Sequence, residues 1–210
     1  MTRRACSMTA SAVPAGARRG AEARDWSWVE ASVWTERMVL ALENVKGGCW
    51  HSLMDKVYAP ATLAAAWAKV RANHGAAGGD GQSIERFEAR AESYLDELGA
   101  GLREGRYQPH PVKRVDIPRG VGETRPLGIP TVKDRIVQTA VKLVIEPIFE
   151  AQFCPMSYGF RPGRSCKEAL RAVEGLLREG YPFVVDADLK GYFDSIPHER
   201  LQDCSCSSKG

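Results

Sequence analysis

The stretch from Phe183 to His198 constrains the chain most, because it joins a β-forming apolar run to three acids. Side chains alternate between the two faces of a strand, so Asp186 and Asp188 share one face, one pleat apart. Carboxylates this close repel each other unless a cation joins them, and Mg²⁺ takes oxygen ligands. One interpretation is therefore a Mg²⁺ site at Asp186, Asp188 and Asp194. The alternative is two solvent-facing acids on a strand, with Asp194 as a helix cap.

Length and charge are those of one globular unit with a tail: 210 residues, a formal net charge of +3 and 26% charged residues. No apolar run approaches the ~20 residues of a membrane-spanning helix, and no hydrophobic signal core follows Met1. We therefore expect a cytoplasmic protein without membrane contact. None of the six cysteines belongs to a Cys-x-x-Cys pair, which favours free thiols in a reducing compartment. The sequence leaves the oligomeric state open.

The N-terminal part of the chain is predicted to be a disordered tail followed by helices. Residues 1–22 contain almost no large apolar side chains, so nothing offsets the entropy of ordering them. Apolar spacing then predicts helical segments at about 25–44, 50–69 and 83–102. A Gly-rich loop at 73–81 lacks the Gly-Lys-Ser/Thr ending of a nucleotide P-loop, and its simplest interpretation is a flexible connector.

Helix boundaries are indicated by prolines and by capping side chains. Ser83, Thr131 and Ser165 each precede an apolar-periodic run and are predicted to cap a helix. Pro60 is expected to open the later helix of the 50–69 segment. Pro147 is expected to break the helix that Thr131 starts, because proline lacks the amide hydrogen that a helix interior needs.

A basic two-stranded ribbon is predicted between residues 107 and 130. Six cations and three acids occur from Arg103 to Arg125, and alternating apolar residues flank a glycine turn. Arginine forks suit phosphate, and a mobile ribbon could close over a triphosphate. The alternative is an ordinary solvated hairpin. Asp134, Arg135 and Gln138 follow at the start of the next helix, where they either hold the ribbon or reach nucleic acid.

The loop from Ser157 to Ser165 combines two aromatic residues, two arginines and two glycines. Aromatic rings can stack on bases, arginines can meet phosphates, and glycines allow close backbone approach. The alternative is a turn with buried aromatic rings and solvated arginines.

Four of these segments resemble reverse transcriptases of the group II intron type: Asn73–Gly81, Arg125–Gln138, Ser157–Ser165 and Phe183–His198. The resemblance extends over roughly 53–201. It implies an α/β (α+β) fold with the fingers and the first part of the palm of a right-hand polymerase, after an N-terminal helical extension. The implied organisation begins with a disordered tail at 1–22 and a helical extension at 23–102. The fingers with the ribbon follow at 103–180, the first palm strand with the catalytic motif at 181–201, and an aberrant tail at 202–210.

The same resemblance assigns roles to individual residues. Asp188 corresponds to the catalytic metal ligand, and Phe193 to the bulky residue near the incoming sugar. The nucleotide-binding candidates are Arg125, Lys113, Arg119, Leu189, Lys190, Gly191, Tyr192 and Phe193. The nucleic-acid-binding candidates are Tyr158, Gly159, Phe160, Arg161, Arg164, Asn73 and Gly75.

The implied function is RNA-templated DNA synthesis by two-metal nucleotidyl transfer, with a role in intron splicing and mobility. Its implied partners are an intron RNA template, a DNA primer and a deoxynucleoside triphosphate (dNTP), with Mg²⁺ as cofactor. The family's Tyr-Ala-Asp-Asp turn, which adds the second set of carboxylates, does not occur, and the resemblance stops after Leu201. We therefore expect a truncated product that is inactive alone. The alternative is an RNA-binding, maturase-like remnant without catalysis.

Overall fold

The structure is a computed structural model that describes residues 26–39, 53–118, 120, 122, 124–192 and 195–199. The predicted tails at 1–22 and 202–210 lie outside these residues, as do Arg119, Phe193 and Asp194. The described elements, in chain order, are α1 (Leu53–Val57), α2 (Pro60–Ala72), α3 (Ile84–Glu88), α4 (Ala91–Arg103), β1 (Lys113–Pro118), β2 (Thr124–Ile129), α5 (Val132–Glu150) and α6 (Cys166–Arg178). This mixture of helix and strand agrees with the predicted class. No helix in these ranges is long and apolar enough to cross a membrane.

The core lies where α5 packs against α2, with α1 and α4 at its borders. Apolar side chains three or four residues apart form the buried face of each helix. Members of this face on α2 and α5 are Leu63, Ala66, Trp67, Val70, Ile136, Val137, Ala140, Val144 and Ile148. Full burial of one such large side chain contributes about 1.5–3 kcal/mol, so this face holds the N-terminal helices together.

All three predicted helix caps are confirmed. The Ser83 side chain accepts a hydrogen bond from the amide of Arg86, and the Thr131 hydroxyl accepts one from the amide of Asp134. Ser165 and Glu168 form a reciprocal capping box at the start of α6. Because each cap satisfies an amide that the helix itself leaves free, it contributes about 1 kcal/mol.

The predicted single helix over 83–102 is wrong, because the chain forms α3 and α4 with an interruption at residues 89–90. Arg90 has φ −137° and ψ 30°, outside the helical region. The change of direction lets the ring of Phe87 contact both Trp67 and Tyr94, with ring centroids 4.7 and 5.0 Å away. Burial of Phe87 therefore outweighs continuity of the helix. Pro60 does open α2, as expected.

The predicted break at Pro147 is also wrong, because α5 continues to Glu150. A proline leaves the carbonyl four residues earlier without its helical donor. That carbonyl belongs to Leu143, and the indole Nε1 of Trp34 donates to it at 3.0 Å. A side chain 109 residues away in sequence thus replaces the missing backbone donor and stabilises the helix through the proline.

The predicted ribbon is confirmed as an antiparallel pair of strands. Lys113 lies opposite Ile129, and Ile117 lies opposite Arg125. Gly120 and Gly122 turn the chain with φ of 108° and 82°, a region that glycine enters without steric cost. The ribbon projects from the start of α5, and most of its side chains are exposed.

The predicted palm strand is not formed, which corrects the expectation for residues 183–189. Residues 181–189 adopt no regular structure, and Phe183 is 92% exposed. A strand needs the hydrogen-bonding groups of a neighbour, and in the described part of the chain β1 and β2 pair only with each other. α6 likewise buries none of its side chains.

Candidate nucleic-acid interface

The ribbon carries two cations on one face, at opposite ends. Opposed residues of an antiparallel pair share a face, so Lys113, Ile117, Leu127 and Arg125 all lie on the same side. Lys113 and Arg125 are separated by four residues of strand, roughly 13 Å at 3.3 Å per residue. Exposed Leu127 lies between them, and exposed Ile117 lies opposite Arg125. This face can therefore contact an anionic chain at both ends and an apolar surface in the middle.

A buried carboxylate ties the base of the ribbon to α5. Asp134 is 2% exposed and accepts hydrogen bonds from the hydroxyls of Tyr107 and Thr131, the latter at 2.6 Å. The backbone amide of His110 donates to the same carboxylate at 3.2 Å. Of the two roles predicted for Asp134, the structure therefore supports holding the ribbon.

These contacts shift two pKa values in opposite directions. Burial raises the pKa of the Asp134 carboxyl, but the hydrogen bonds from Thr131, Tyr107 and the His110 amide together outweigh burial and hold it below its ordinary value. Burial and the adjacent carboxylate raise the pKa of the Tyr107 phenol. Asp134 is therefore charged and Tyr107 is a donor at neutral pH. The sequence offered no signal for Tyr107, since its partner lies 27 residues away.

The Gly-rich loop at 73–81 packs against the start of α5, which contradicts its interpretation as a flexible connector. Arg135 donates from Nη2 to the carbonyl of Ala76 at 2.6 Å. A Cβ on Gly75 would clash with the Arg135 guanidinium, and a Cβ on Gly78 would lie 2.6 Å from Cα of Thr131. The glycines thus allow close packing beside the ribbon. Exposed Asn73 ends α2 at the outer side of this loop.

The loop at 157–165 differs from both of its predicted interpretations. Phe160 is fully exposed at φ 55°, whereas Arg161 is buried and bonded to Glu150. The predicted role of Arg161 as a direct nucleic-acid contact is therefore corrected, because its guanidinium faces the protein interior. Arg164 lies over the ring of Tyr158 at 5.3 Å. Gly159 has open space around its α-carbon, so backbone approach is free there.

The acids of the catalytic stretch are not brought together with further ligands. Asp186 and Asp188 are exposed, and Asp194 lies outside the described residues. Within those residues, no group of three His, Cys, Asp or Glu side chains could hold a metal ion. Carboxylates are ligands that Mg²⁺ prefers, but two acids on an unpaired segment do not make a closed site. The turn after Leu189 places Lys190, Gly191 and Tyr192 in solvent, with Gly191 at φ 62°.

Comparison with known proteins shows which family these elements resemble. Residues 113–206 match the family described as Reverse transcriptase (RNA-dependent DNA polymerase). Protein YkfC of Escherichia coli (strain K12) is 43% identical over 128 residues, which cover 59% of this chain and 34% of that protein. Group II intron-encoded protein LtrA of Lactococcus lactis subsp. cremoris is 40% identical over 114 residues, covering 53% of this chain and 18% of that protein. The matched range is less than half of the chain, so the comparisons show a similarity to reverse transcriptases and to group II intron-encoded proteins.

Other relatives carry names of intron proteins. Nuclear intron maturase 1, mitochondrial, of Arabidopsis thaliana is 31% identical over 75 residues, covering 36% of this chain and 10% of that protein. The matches to these three relatives span 34% of their length or less. The matched range of the reverse transcriptase family begins at β1 and contains the ribbon, α5, the 157–165 loop and both acids of the 183–189 segment. The family resemblance is thus confirmed for the parts of the chain that carry most of the candidate residues.

Proposed function

We propose that this chain binds an RNA template through the ribbon and the 157–165 loop, as the fingers of a group II intron-type reverse transcriptase. The observation that carries the proposal is the ribbon face with Lys113 and Arg125 at its ends, fixed to the core through Asp134. A fixed base and a solvent-exposed tip suit a surface that receives a charged chain. Similarity to reverse transcriptases and to a group II intron-encoded protein supports RNA as the charged chain.

Nucleotidyl transfer is proposed for the protein in a longer form. Family members generally use divalent metal ions, and the resemblance assigns Asp188 as a ligand, with Asp186 and Asp194 beside it. Arg125 is proposed to meet the triphosphate of the dNTP, with Lys113 and Arg119 as further cations. Asp188, with Asp186 and Asp194, would hold Mg²⁺, and the bound ions would activate the primer hydroxyl and stabilise the leaving pyrophosphate. The role in intron splicing and mobility follows from the same family and stands as part of this proposal.

RNA binding without catalysis is the second candidate function of the 210-residue chain. It is favoured by the exposure of Asp186 and Asp188 on a segment that forms no strand among the described residues. Templated extension of a DNA primer in the presence of Mg²⁺ separates the two candidates. We expect no extension by this chain, and detectable extension would contradict that expectation.

The binding proposal is tested by the salt dependence of affinity for a single-stranded RNA. Each phosphate contact contributes about 0.7 to the slope of log K against log salt concentration. Lys113→Ala and Arg125→Ala are each expected to lower the slope by about that amount. Lys142→Ala is the matched control, since it removes an exposed cation about 15 Å along α5 from the ribbon. Equal slopes for all three variants would contradict the proposal.

A further inference from the structure

A buried ion pair organises the segment between α5 and α6. Arg161 and Glu150 are each 8% exposed. The Nε of Arg161 donates to both carboxylate oxygens of Glu150, at 3.1 and 3.0 Å, and Nη2 donates to the same carboxylate. Glu150 is the last residue of α5, so this pair fixes the loop to the end of the core helix.

The remaining donors of Arg161 hold the turn that precedes it. Nη1 donates to the carbonyls of Cys154 at 2.8 Å and Ser157 at 2.7 Å. The guanidinium carbon lies 5.1 Å from the ring centroid of Phe153. An arginine side chain has five N–H donors, and four of them are used in these contacts. Little donor capacity is left for a phosphate, and the buried position gives a phosphate no access.

The residue before Arg161 has the opposite orientation. Phe160 is fully exposed and adopts φ 55°, in the left-handed region that bulky residues rarely enter. Such a conformation persists only where surrounding contacts impose it. Arg161 is held inward by Glu150 and two carbonyls, and Pro162 restricts the backbone on its other side. The ion pair therefore fixes the backbone that turns the Phe160 ring into solvent.

The surroundings of Phe160 suit an unpaired base rather than a protein partner. Tyr158 lies two residues away, and the Arg164 guanidinium lies over its ring while donating to the carbonyl of Pro155. An exposed ring next to a half-exposed arginine offers both stacking and charge to a single strand. Phe153 and Met156 are also exposed before this turn, but the guanidinium of Arg164 beside the rings favours an anionic partner.

We propose that Arg161 is a positioning residue for base stacking: its ion pair with Glu150 holds Phe160 outward, and the Phe160 ring stacks on an unpaired base of the RNA. The inference rests on the proposed RNA-binding function. It differs from phosphate binding by Arg161 in a measurable way, because stacking depends on the base whereas phosphate contacts depend on salt.

The test compares a single-stranded RNA with a matched RNA that contains abasic positions. Phe160→Ala is expected to lower affinity about tenfold for the base-bearing RNA and to leave the abasic RNA and the salt slope unchanged. Arg161→Lys keeps the charge but cannot reach Glu150 and both carbonyls at once, so the same loss is expected. In the double variant, Arg161→Lys should cause no further loss, since both changes remove the same contact.

Three outcomes would overturn the inference. A fall of about 0.7 in the salt slope on changing Arg161 to Gln, which removes the charge, would make it a phosphate contact. Additive losses in the double variant would give Arg161 a purely structural role. An affinity for the base-bearing RNA that does not change in the Phe160→Ala variant would show that Phe160 does not stack on a base.

A surface variant keeps the test valid if Arg161→Lys does not fold. Phe160→Trp enlarges an exposed ring without touching the ion pair, and it is expected to raise affinity for the base-bearing RNA alone. No change for that RNA would contradict the inference. If the unmodified chain does not bind RNA at all, both the proposed function and this inference are overturned. If it binds RNA with an affinity that does not depend on residue 160, only the inference is overturned.

Discussion

Helices α5 and α6 are both amphipathic but lie in opposite environments. α5 buries Ile136, Val144 and neighbouring apolar residues against α2, whereas Leu170 and Leu177 on α6 stay exposed. Residues 179–192, which follow α6 and include Asp188, are exposed. An apolar stripe thus specifies a helix, but burial requires a surface to pack against. The ribbon and the 157–165 loop, which are proposed to bind RNA, are attached to α5 through Asp134 and Glu150. The acids Asp186 and Asp188 lie in the second region, without strand partners among the described residues.

The largest expected effect comes from shortening an apolar side chain in each helix. Ile136→Ala should lower the free energy of unfolding by about 2–5 kcal/mol, because Ile136 is fully buried and its removal leaves a cavity. Leu170→Ala on α6 is the matched variant and should change it by less than about 0.5 kcal/mol. Urea unfolding of the 210-residue chain measures both. Equal losses of unfolding free energy in the two variants would show that α6 packs as tightly as α5 and would contradict the difference between the two helices.

A smaller effect is expected at the junction between the core and the ribbon. Asp134→Asn replaces one of the two acceptor oxygens with an amide donor and removes the charge, so it should cost about 1–3 kcal/mol of stability. Because the pKa of Asp134 is lowered in the folded state, its contribution is present above the unfolded pKa and is lost as pH falls through the folded pKa. Below about pH 4, melting curves of the unmodified chain should therefore show a loss of stability that the Asp134→Asn variant does not show. A loss of stability as the pH is raised would contradict the predicted direction of this pH dependence.

The smallest effect concerns the continuation of α5 through Pro147. Trp34→Phe removes the indole donor to the Leu143 carbonyl and should cost about 1–2 kcal/mol. Pro147→Ala restores a backbone amide that can donate to the same carbonyl, so the cost of Trp34→Phe should shrink in that background. A double-mutant cycle by thermal unfolding measures this coupling, and strict additivity would show that the indole does not substitute for the missing amide.

Features that depend on neighbouring residues could be predicted from the sequence. The caps at Ser83, Thr131 and Ser165 are local, and the ribbon follows from alternation around a glycine turn. The resemblance to group II intron-type reverse transcriptases was identified from contiguous motifs, and the comparisons confirm that resemblance.

Features that depend on distant partners could not be predicted. Continuation of α5 through Pro147 depends on Trp34, and burial of Arg161 depends on Glu150. Neither pair is visible as a pattern, because each joins residues across a loop or half the chain. The expected strand at 183–189 had strong local propensity, but a strand is defined by its neighbour, which propensity does not supply.

Amide hydrogen exchange of the 210-residue chain tests the difference between the two regions most directly. The amides of α5 around Val144 should be strongly protected, because they are hydrogen-bonded inside the core. The amides from Phe183 to Leu189 should exchange at the rate of an unstructured peptide. Strong protection of those amides would show that the acid-bearing segment is paired and would contradict the account.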